Sequence, residues 1–307
     1  MTTFQLPKTN LSVSHLCLGG NVFGWSADAA TSFEVLDKFV ELGGNFIDTA
    51  DAYSAWVPGH VGGESESIIG DWQKARGSRD SLVIATKVAK LSTRAGLSRD
   101  VIIAACDDSL RRLKTDVIDI YYAHEDDQSV PMEETLGAFT ELRDAGKIRY
   151  AAASNFTGAR LREAAKVSAE NNLIEYSALQ NHYNLMDRAD YESDSVPALQ
   201  ELEISGIPFF GLAMGFLTGK YREGQTVESV RAGGVAQYAN ATGWAKLAKL
   251  DELATSHSTT ASAIALAWLR QQPTVSVPIA SARNVQQVSE IMPLITLSSD
   301  ELTLLGN

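Results

Sequence analysis

The chain has 307 residues, 45% of them hydrophobic and 21% charged, which is enough apolar material for a sizeable core and excludes a disordered chain. Its 38 acidic residues outnumber 26 basic ones, for a formal net charge of −12. That balance argues against the basic surface needed by a nucleic-acid or anionic-membrane partner.

The opening MTTFQLPKTN has no charged-then-apolar leader pattern, and no apolar run approaches the roughly 20 residues needed to span a bilayer. A cytoplasmic protein is the expectation. The two cysteines, Cys17 and Cys106, sit in apolar stretches and are expected as buried free thiols. FQLPKTNLSVSH alternates like a hairpin placed before the first strand. Strand-like runs then follow at 15–19, 45–50, 81–87, 117–124, 148–154, 176–180, 207–212 and 275–280. Several are continuously apolar, as for parallel strands covered on both faces.

Helical patterns lie between them at 29–43, 64–75, 98–114, 132–146, 159–172 and 196–206. Gly43, Gly146 and Gly206 are placed to cap helices in the left-handed conformation, and Ser98 to cap one at its N-terminus. Residues 213–244 fit no repeat, and Gly233-Gly234 suggests a mobile loop after strand seven, on the upper face. No linker interrupts the pattern, so residues 1–307 are expected as one domain. Strands alternating with helices permit an open doubly wound sheet or a closed barrel. The count of eight, and no G-x-G-x-x-G after a strand, favour an α/β chain of the (β/α)8 TIM-barrel type.

A barrel gathers the C-terminal ends of its strands around one mouth. Asp48 ends strand two with Tyr53 just beyond it, Lys87 ends strand three, and His124 ends strand four. Carbonyl reduction needs a hydride on carbon and a proton on oxygen. A tyrosine hydroxyl is a proton donor, and a neighbouring ammonium is expected to lower its pKa from about 10. Lys87 can supply that charge, Asp48 can hold Lys87, and His124 can orient the carbonyl oxygen. No metal is needed. HEDD at 124–127 fits no ligand spacing, so Asp126 and Asp127 read as a solvated loop. Trp25 and Trp56 follow strands one and two and are expected to line a substrate mouth.

NFIDTADAY (45–53), ESESIIGDW (64–72), VIATKV (83–88), YYAHEDD (121–127), AGKIRYAAASNF (145–156), LQNHYN (179–184), GFLTGKY (215–221) and PIASARNVQQVSE (278–290) occur in this order. Together they resemble the aldo-keto reductase superfamily over nearly the whole chain. The resemblance implies a β/α barrel, NADP(H) and transfer of the A-face hydride to a small carbonyl substrate. It implies the same roles for Asp48, Tyr53, Lys87 and His124. It places Ser154, Asn155 and Gln180 on the nicotinamide carboxamide. Leu212, Gly215 and Lys220 fall on the pyrophosphate, and Ser281, Arg283, Gln287 and Glu290 on the adenosine.

Two departures stand out. The family usually carries Tyr-Ser-Pro-Leu where this chain has Phe209, Phe210, Gly211 and Leu212, so either phenylalanine is a candidate to stack on the nicotinamide. A usual glycine is Ser281. Arg283, the only basic residue after Arg270, is the expected reader of a 2′-phosphate, assisted by the amides of the helix that follows. Two other readings use the same residues: a cofactor-binding regulatory subunit with little turnover, and a barrel aldolase forming a Schiff base on Lys87.

Overall fold

The computed structural model describes residues 3–225, 227 and 232–306. An antiparallel hairpin of β1 (Thr3–Gln5) and β2 (Ser12–Ser14) comes first. The barrel strands are β3 (Cys17–Gly19), β4 (Phe46–Asp48), β5 (Val83–Val88), β6 (Ile118–Ala123), β7 (Ile148–Ser154), β8 (Tyr176–Gln180), β9 (Ser205–Gly206) and β10 (Ile279–Ala280). They pair in parallel in the order β10-β3-β4-β5-β6-β7-β8-β9. Closure comes from the segment before β10. Ser276 N donates to Gly206 O at 2.8 Å and Ile279 N to Pro208 O at 2.9 Å.

Side-chain alternation sorts the strands' apolar residues into two layers. Cys17, Phe46, Val83, Ala85, Ile120, Tyr122, Ala152, Ala178, Ile207, Val277 and Ile279 pack inside the barrel. Their neighbours Leu18, Ile47, Ile84, Tyr121, Ala151, Ala153 and Leu179 belong to the larger layer beneath the helices. Coverage on both faces explains the unbroken apolar runs. Leu6, Leu11 and Val13 of the hairpin join the interior cluster. The hairpin is tied to strand starts through Asn45, whose Oδ1 accepts from Ser14 N, and through Tyr150 Oη, which accepts from Asn10 N. It therefore plugs the N-terminal end of the barrel and leaves the other end as the mouth.

The outer helices include α1 (Ala29–Glu41), α2 (Glu64–Arg76), α3 (Arg99–Leu113), α4 (Met132–Asp144), α5 (Gly158–Asn171) and α6 (Val196–Leu202). These match the expected helical stretches to within a few residues, except that a π-helical turn, Tyr191–Ser195, precedes α6 and α6 stops early. Four readings need correction. Ser98 does stand at the N-cap of α3, but its side chain makes no capping bond; Glu134 Oε1 takes the Arg99 amide instead. The seventh strand is Ser205–Gly206 rather than 207–212, and Phe210 at φ 55° takes the chain out of the extended geometry that the longer strand would need. Gly206 is not a helix cap: α6 ends at Glu203, which takes the left-handed position itself.

The fourth correction concerns the connection after strand seven. It is long, as expected, but holds a 3-10 segment at Ala213–Thr218, a short helix α7 (Ala232–Val235) and the start of α8 (Ala241–Ser256). Gly233-Gly234 thus lies within α7; residues 226 and 228–231 of the same connection lie outside the described residues. α9 (Ala261–Arg270), α10 (Val285–Ile291) and α11 (Ser299–Gly306) complete the fold. Among the described residues, no helix is long and apolar enough to cross a membrane. Cys17 and Cys106 are buried free thiols.

Two glycines give opposite expectations. A Cβ on Gly206 would press on the Tyr191 hydroxyl and sit 2.8 Å from Thr274 O, where the barrel closes. Gly206→Ala should cost about 1–3 kcal/mol. Gly137, inside α4, has nothing within 4 Å of a built Cβ, so Gly137→Ala should gain up to about 1 kcal/mol through helix propensity. Thermal unfolding of the two variants should shift in opposite directions; equal shifts would contradict the closure argument.

Candidate active site

The polar floor of the mouth is the continuation of the interior alternation. Two residues beyond Cys17, Phe46, Ala85, Tyr122, Ala152, Ala178, Ile207 and Ile279 stand Gly19, Asp48, Lys87, His124, Ser154, Gln180, Phe209 and Ser281. One inward position per strand therefore yields eight residues in a ring. Register sets Gly19 level with Asp48 and Ser154 level with Gln180, but pairs Asp48 with Ala85 and Lys87 with Tyr122, so the ring steps up by two residues at β5 and again at β6.

Lys87 lies at the centre and is wholly buried. Its Nζ donates to Asp48 Oδ2 at 2.6 Å, Thr49 O at 2.8 Å and Tyr53 Oη at 2.9 Å. All three ammonium donors are thereby used. Tyr53 Oη donates to Asp48 Oδ2 at 3.3 Å, and Gln180 Nε2 donates to Asp48 Oδ1 at 2.9 Å. The Tyr53 and His124 rings meet edge-on, 5.9 Å apart. The four expected residues are thus brought together, with one difference in electrostatics. Burial, then the Asp48 carboxylate, push the Tyr53 phenol well above its ordinary value, whereas a lowering by Lys87 was expected. Lys87 is itself pulled down by burial and held up by Asp48. Tyr53 is therefore a protonated phenol. Burial foremost, then Lys87 and Lys90, hold His124 well below the usual imidazole range, so it is neutral. Its Nδ1 is buried without a partner among the described residues.

A cleft of about 780 Å³ runs from this cluster to the β10–α10 segment. Asp48, Tyr53, His124 and Trp56 line it, as do Ser154, Asn155, Gln180, Phe209, Phe210, Gly211, Leu212, Gly215, Lys220, Ser281, Arg283, Gln287 and Glu290. Lys87 stands behind this surface. Trp25 is not part of it; it packs edge-on against Trp56, 5.5 Å between ring centroids, and supports that ring from behind. Sequence reasoning missed Asn21, Lys90, Met214, Thr218, Thr260 and Ser262, which also line the cleft. Thr260 and Ser262 begin α9, whose apolar-all-round sequence ASAIALAWLR carries no one-sided pattern to reveal it. Asp126 is held by Arg160 at 2.8 Å and Asp127 caps local amides, so neither reaches the cleft.

The donor set fits a nicotinamide dinucleotide. Ser154 Oγ donates to Gln180 O at 2.8 Å, and Asn155 Nδ2 donates to His124 O at 2.8 Å and Ser154 Oγ at 3.1 Å. These bonds fix the Ser154 and Asn155 side chains at one wall, beside the Gln180 side chain that Asp48 holds. Phe209 stacks on His182, while Phe210 stands edge-on to both rings. Gly211 and Gly215 keep the next stretch of wall low, Gly215 at φ 99°. At the far end, neither Lys220 nor Arg283 makes an ion pair with a described acidic residue; Lys220 lies 4.9 Å from the Tyr221 ring centroid. Ser281 Oγ bonds Asn21 Oδ1 at 2.5 Å. The helix after Arg283 is only α10, and Asn284 and Gln287 side chains already occupy amides at its start. The expected help from helix amides is therefore small.

The family model described as "Aldo/keto reductase family" matches residues 15–305. An uncharacterized oxidoreductase, YrpG of Bacillus subtilis, is 31% identical, covering 96% of this chain and 91% of that protein. Aldo-keto reductase YhdN of the same organism is 31% identical over 96% and 88%. A Schizosaccharomyces pombe protein, provisionally named a voltage-gated potassium channel subunit beta, is 33% identical over 93% and 85%.

The loop from Asp48 to Tyr53 carries one further buried charge. Both carboxylate oxygens of Asp51 are buried without a partner among the described residues. Glu66 nearby is committed to Thr86 and Arg112, each at 2.6 Å. Burial, and then the Glu66 charge, raise the Asp51 carboxyl to about 7. A folded-state value above the unfolded one favours the neutral acid. The stability this contributes is complete below about pH 4 and is lost as pH rises to about 7, a change of up to about 4 kcal/mol. Asp51→Asn should raise the thermal midpoint at pH 8 and change it little at pH 4. An equal effect at both pH values would show that ionisation is not the cause.

Proposed function

The chain belongs to the aldo/keto reductase family and is an oxidoreductase, and from that premise we propose that it reduces an aldehyde or ketone to an alcohol with NADPH, Tyr53 being the proton donor. The observation that carries this reading is the Tyr53 hydroxyl at the cleft, bonded at 2.9 Å to a fully buried ammonium. When bound, the reduced nicotinamide supplies a hydride to the carbonyl carbon. The protein's residues handle the oxygen. Tyr53 enters as a neutral phenol and gives its proton to the developing alkoxide. Lys87 then lies close enough to stabilise the phenolate left behind, which offsets the burial that otherwise disfavours it. Asp48, pinned by Gln180, keeps Lys87 charged and in place. Neutral His124 offers an N–H to orient the carbonyl oxygen.

Ser154, Asn155 and Gln180 are the proposed carboxamide partners, with Phe209 or Phe210 against the ring. Leu212, Gly215 and Lys220 would hold the pyrophosphate, and Ser281, Arg283, Gln287 and Glu290 the adenosine end. Trp56, backed by Trp25, forms a substrate wall. The same reading takes residues 1–307 as one barrel domain acting in the cytoplasm on a small carbonyl compound. The provisional name of the S. pombe relative supports a second reading, a cofactor-binding regulatory subunit. Turnover with a simple aldehyde separates the two. The Schiff-base reading is disfavoured, because Lys87 has every N–H engaged and no exposed surface.

Tyr53→Phe removes one hydroxyl. NADPH oxidation with aldehyde should fall about a hundred- to ten-thousandfold while NADPH affinity holds; near-normal turnover would eliminate Tyr53 as the acid. Arg283→Ala tests cofactor choice. A hydrogen bond from a guanidinium to phosphate is worth about 1.5–3 kcal/mol, so NADPH binding should weaken roughly ten- to a hundredfold and NADH binding barely change. Equal losses for both cofactors in a fluorescence titration would remove Arg283 as the phosphate reader.

A further inference from the structure

The half of the cleft nearest Tyr53 and His124 holds a charge that carbonyl reduction itself does not require. The cleft's acidic and basic lining side chains, among the described residues, are Asp48, Lys90, His124, Lys220, Arg283 and Glu290. Lys220, Arg283 and Glu290 come from the segments after β9 and β10. Asp48 is paired with Lys87 and bonded by Gln180. His124 is neutral. Among the described residues, Lys90 is left as the cation of this half.

Its position is built. Along β5, Lys87 faces inward and Val88 belongs to the outer layer, so regular alternation would turn residue 90 outward. Instead Ala89 is held at φ 111°, a left-handed conformation rare for alanine. Gly96 N donates to Ala89 O at 3.0 Å and closes the loop that holds it there. The break in alternation brings Lys90 to the cleft wall. Backbone strain of this kind is maintained where a site needs it. The field of Lys90 also reaches the imidazole, where it helps to disfavour a positive His124; the same field favours an anion. Its acidic neighbour Glu125 is 3.5 Å away, half-exposed and outside the cleft lining. Such a contact is weak and readily exchanged.

We infer that Lys90 is a substrate-recognition residue and that the preferred substrate is an oxo acid, an aldehyde or ketone carrying a carboxylate, whose anionic group meets the Lys90 ammonium while its carbonyl lies at Tyr53 and His124. A single ammonium matches the single charge of a carboxylate. A phosphate group brings nearly two charges, beside Glu125 and with no guanidinium fork at this end among the described residues to receive them. Trp56 supplies an apolar wall for the carbon skeleton between the two groups. The inference rests on the reductase reading, and its redox balance is the same: hydride to carbon, the Tyr53 proton to oxygen, the carboxylate unchanged.

The test compares 4-carboxybenzaldehyde with its uncharged methyl ester as substrates for NADPH oxidation at pH 7. The wild type should favour the acid by about tenfold in kcat/KM, the lower end of what a charge-assisted contact supplies. Lys90→Met should bring that ratio close to one, Lys90→Arg should keep it, and Glu125→Gln should raise it. A ratio near one in the wild type, or one unmoved by Lys90→Met, overturns the inference. A parallel calorimetric titration of the full chain with benzoate and benzamide, with and without NADP⁺, needs no turnover. Benzoate should bind more tightly, and only Lys90→Met should abolish the difference. If neither aldehyde is reduced, the reductase reading fails, and the titration alone decides Lys90: equal affinity for benzoate and benzamide removes it.

Discussion

The burial of one ammonium governs the rest of the mouth. Lys87 sits where an apolar interior ends, with no exposed surface, and a charge there is costly unless its donors are met. Asp48, Thr49 O and Tyr53 meet them. Each comes from β4 or the turn just after it, so the β4–β5 register must hold for the charge to be tolerated. Loss of one partner from a buried pair of this kind costs about 3–5 kcal/mol. Asp48 is in turn fixed by Gln180 of β8, and Gln180 O by Ser154 of β7. The charge at the centre is thus linked to side chains on four of the eight barrel strands.

Much of this was legible in the sequence because strands have a period of two. An apolar interior residue followed two positions later by a polar one marks the top of a barrel strand, and Phe46/Asp48, Ala85/Lys87 and Tyr122/His124 all obey that rule. What escaped was set by features with no period. Lys90 enters the cleft through a single left-handed alanine. Gly206 follows a helical pattern as a cap would, but its lack of a side chain serves a contact with Thr274 and Tyr191, far away in sequence. α9 is buried on every side, so its sequence shows no face. The direction of the Tyr53 shift depends on how the Asp48 and Lys87 charges balance against burial, a three-dimensional sum that residue types alone do not contain.

The acidic chain also separates its charges by place. Arg79 and Arg149 both pair with the buried Asp119, and Arg112 pairs with the buried Glu66, all outside the mouth. Lys220 and Arg283 have no acidic partner among the described residues and both line the cleft. In a molecule of net charge −12, such uncommitted cations are local exceptions in an otherwise repelling field, and they draw anions to one groove.

The seam that closes the barrel bears on how the chain reaches its native state. β3 lies beside β10, with Cys17 next to Ile279, and the hairpin's Leu6, Leu11 and Val13 fill the interior those two strands complete. β3 meets its first neighbour, β4, soon after it in the chain, but its second neighbour, β10, comes only after all the other barrel strands. The open intermediate leaves the edges of β3 and the newest strand unpaired and the interior surface uncovered. Contacts of such long sequence separation are slow to form and expose aggregation-prone surface meanwhile. Closing the ring therefore asks the last barrel strand in chain order to find the first, so the cylinder's two edges disappear in a single long-range contact.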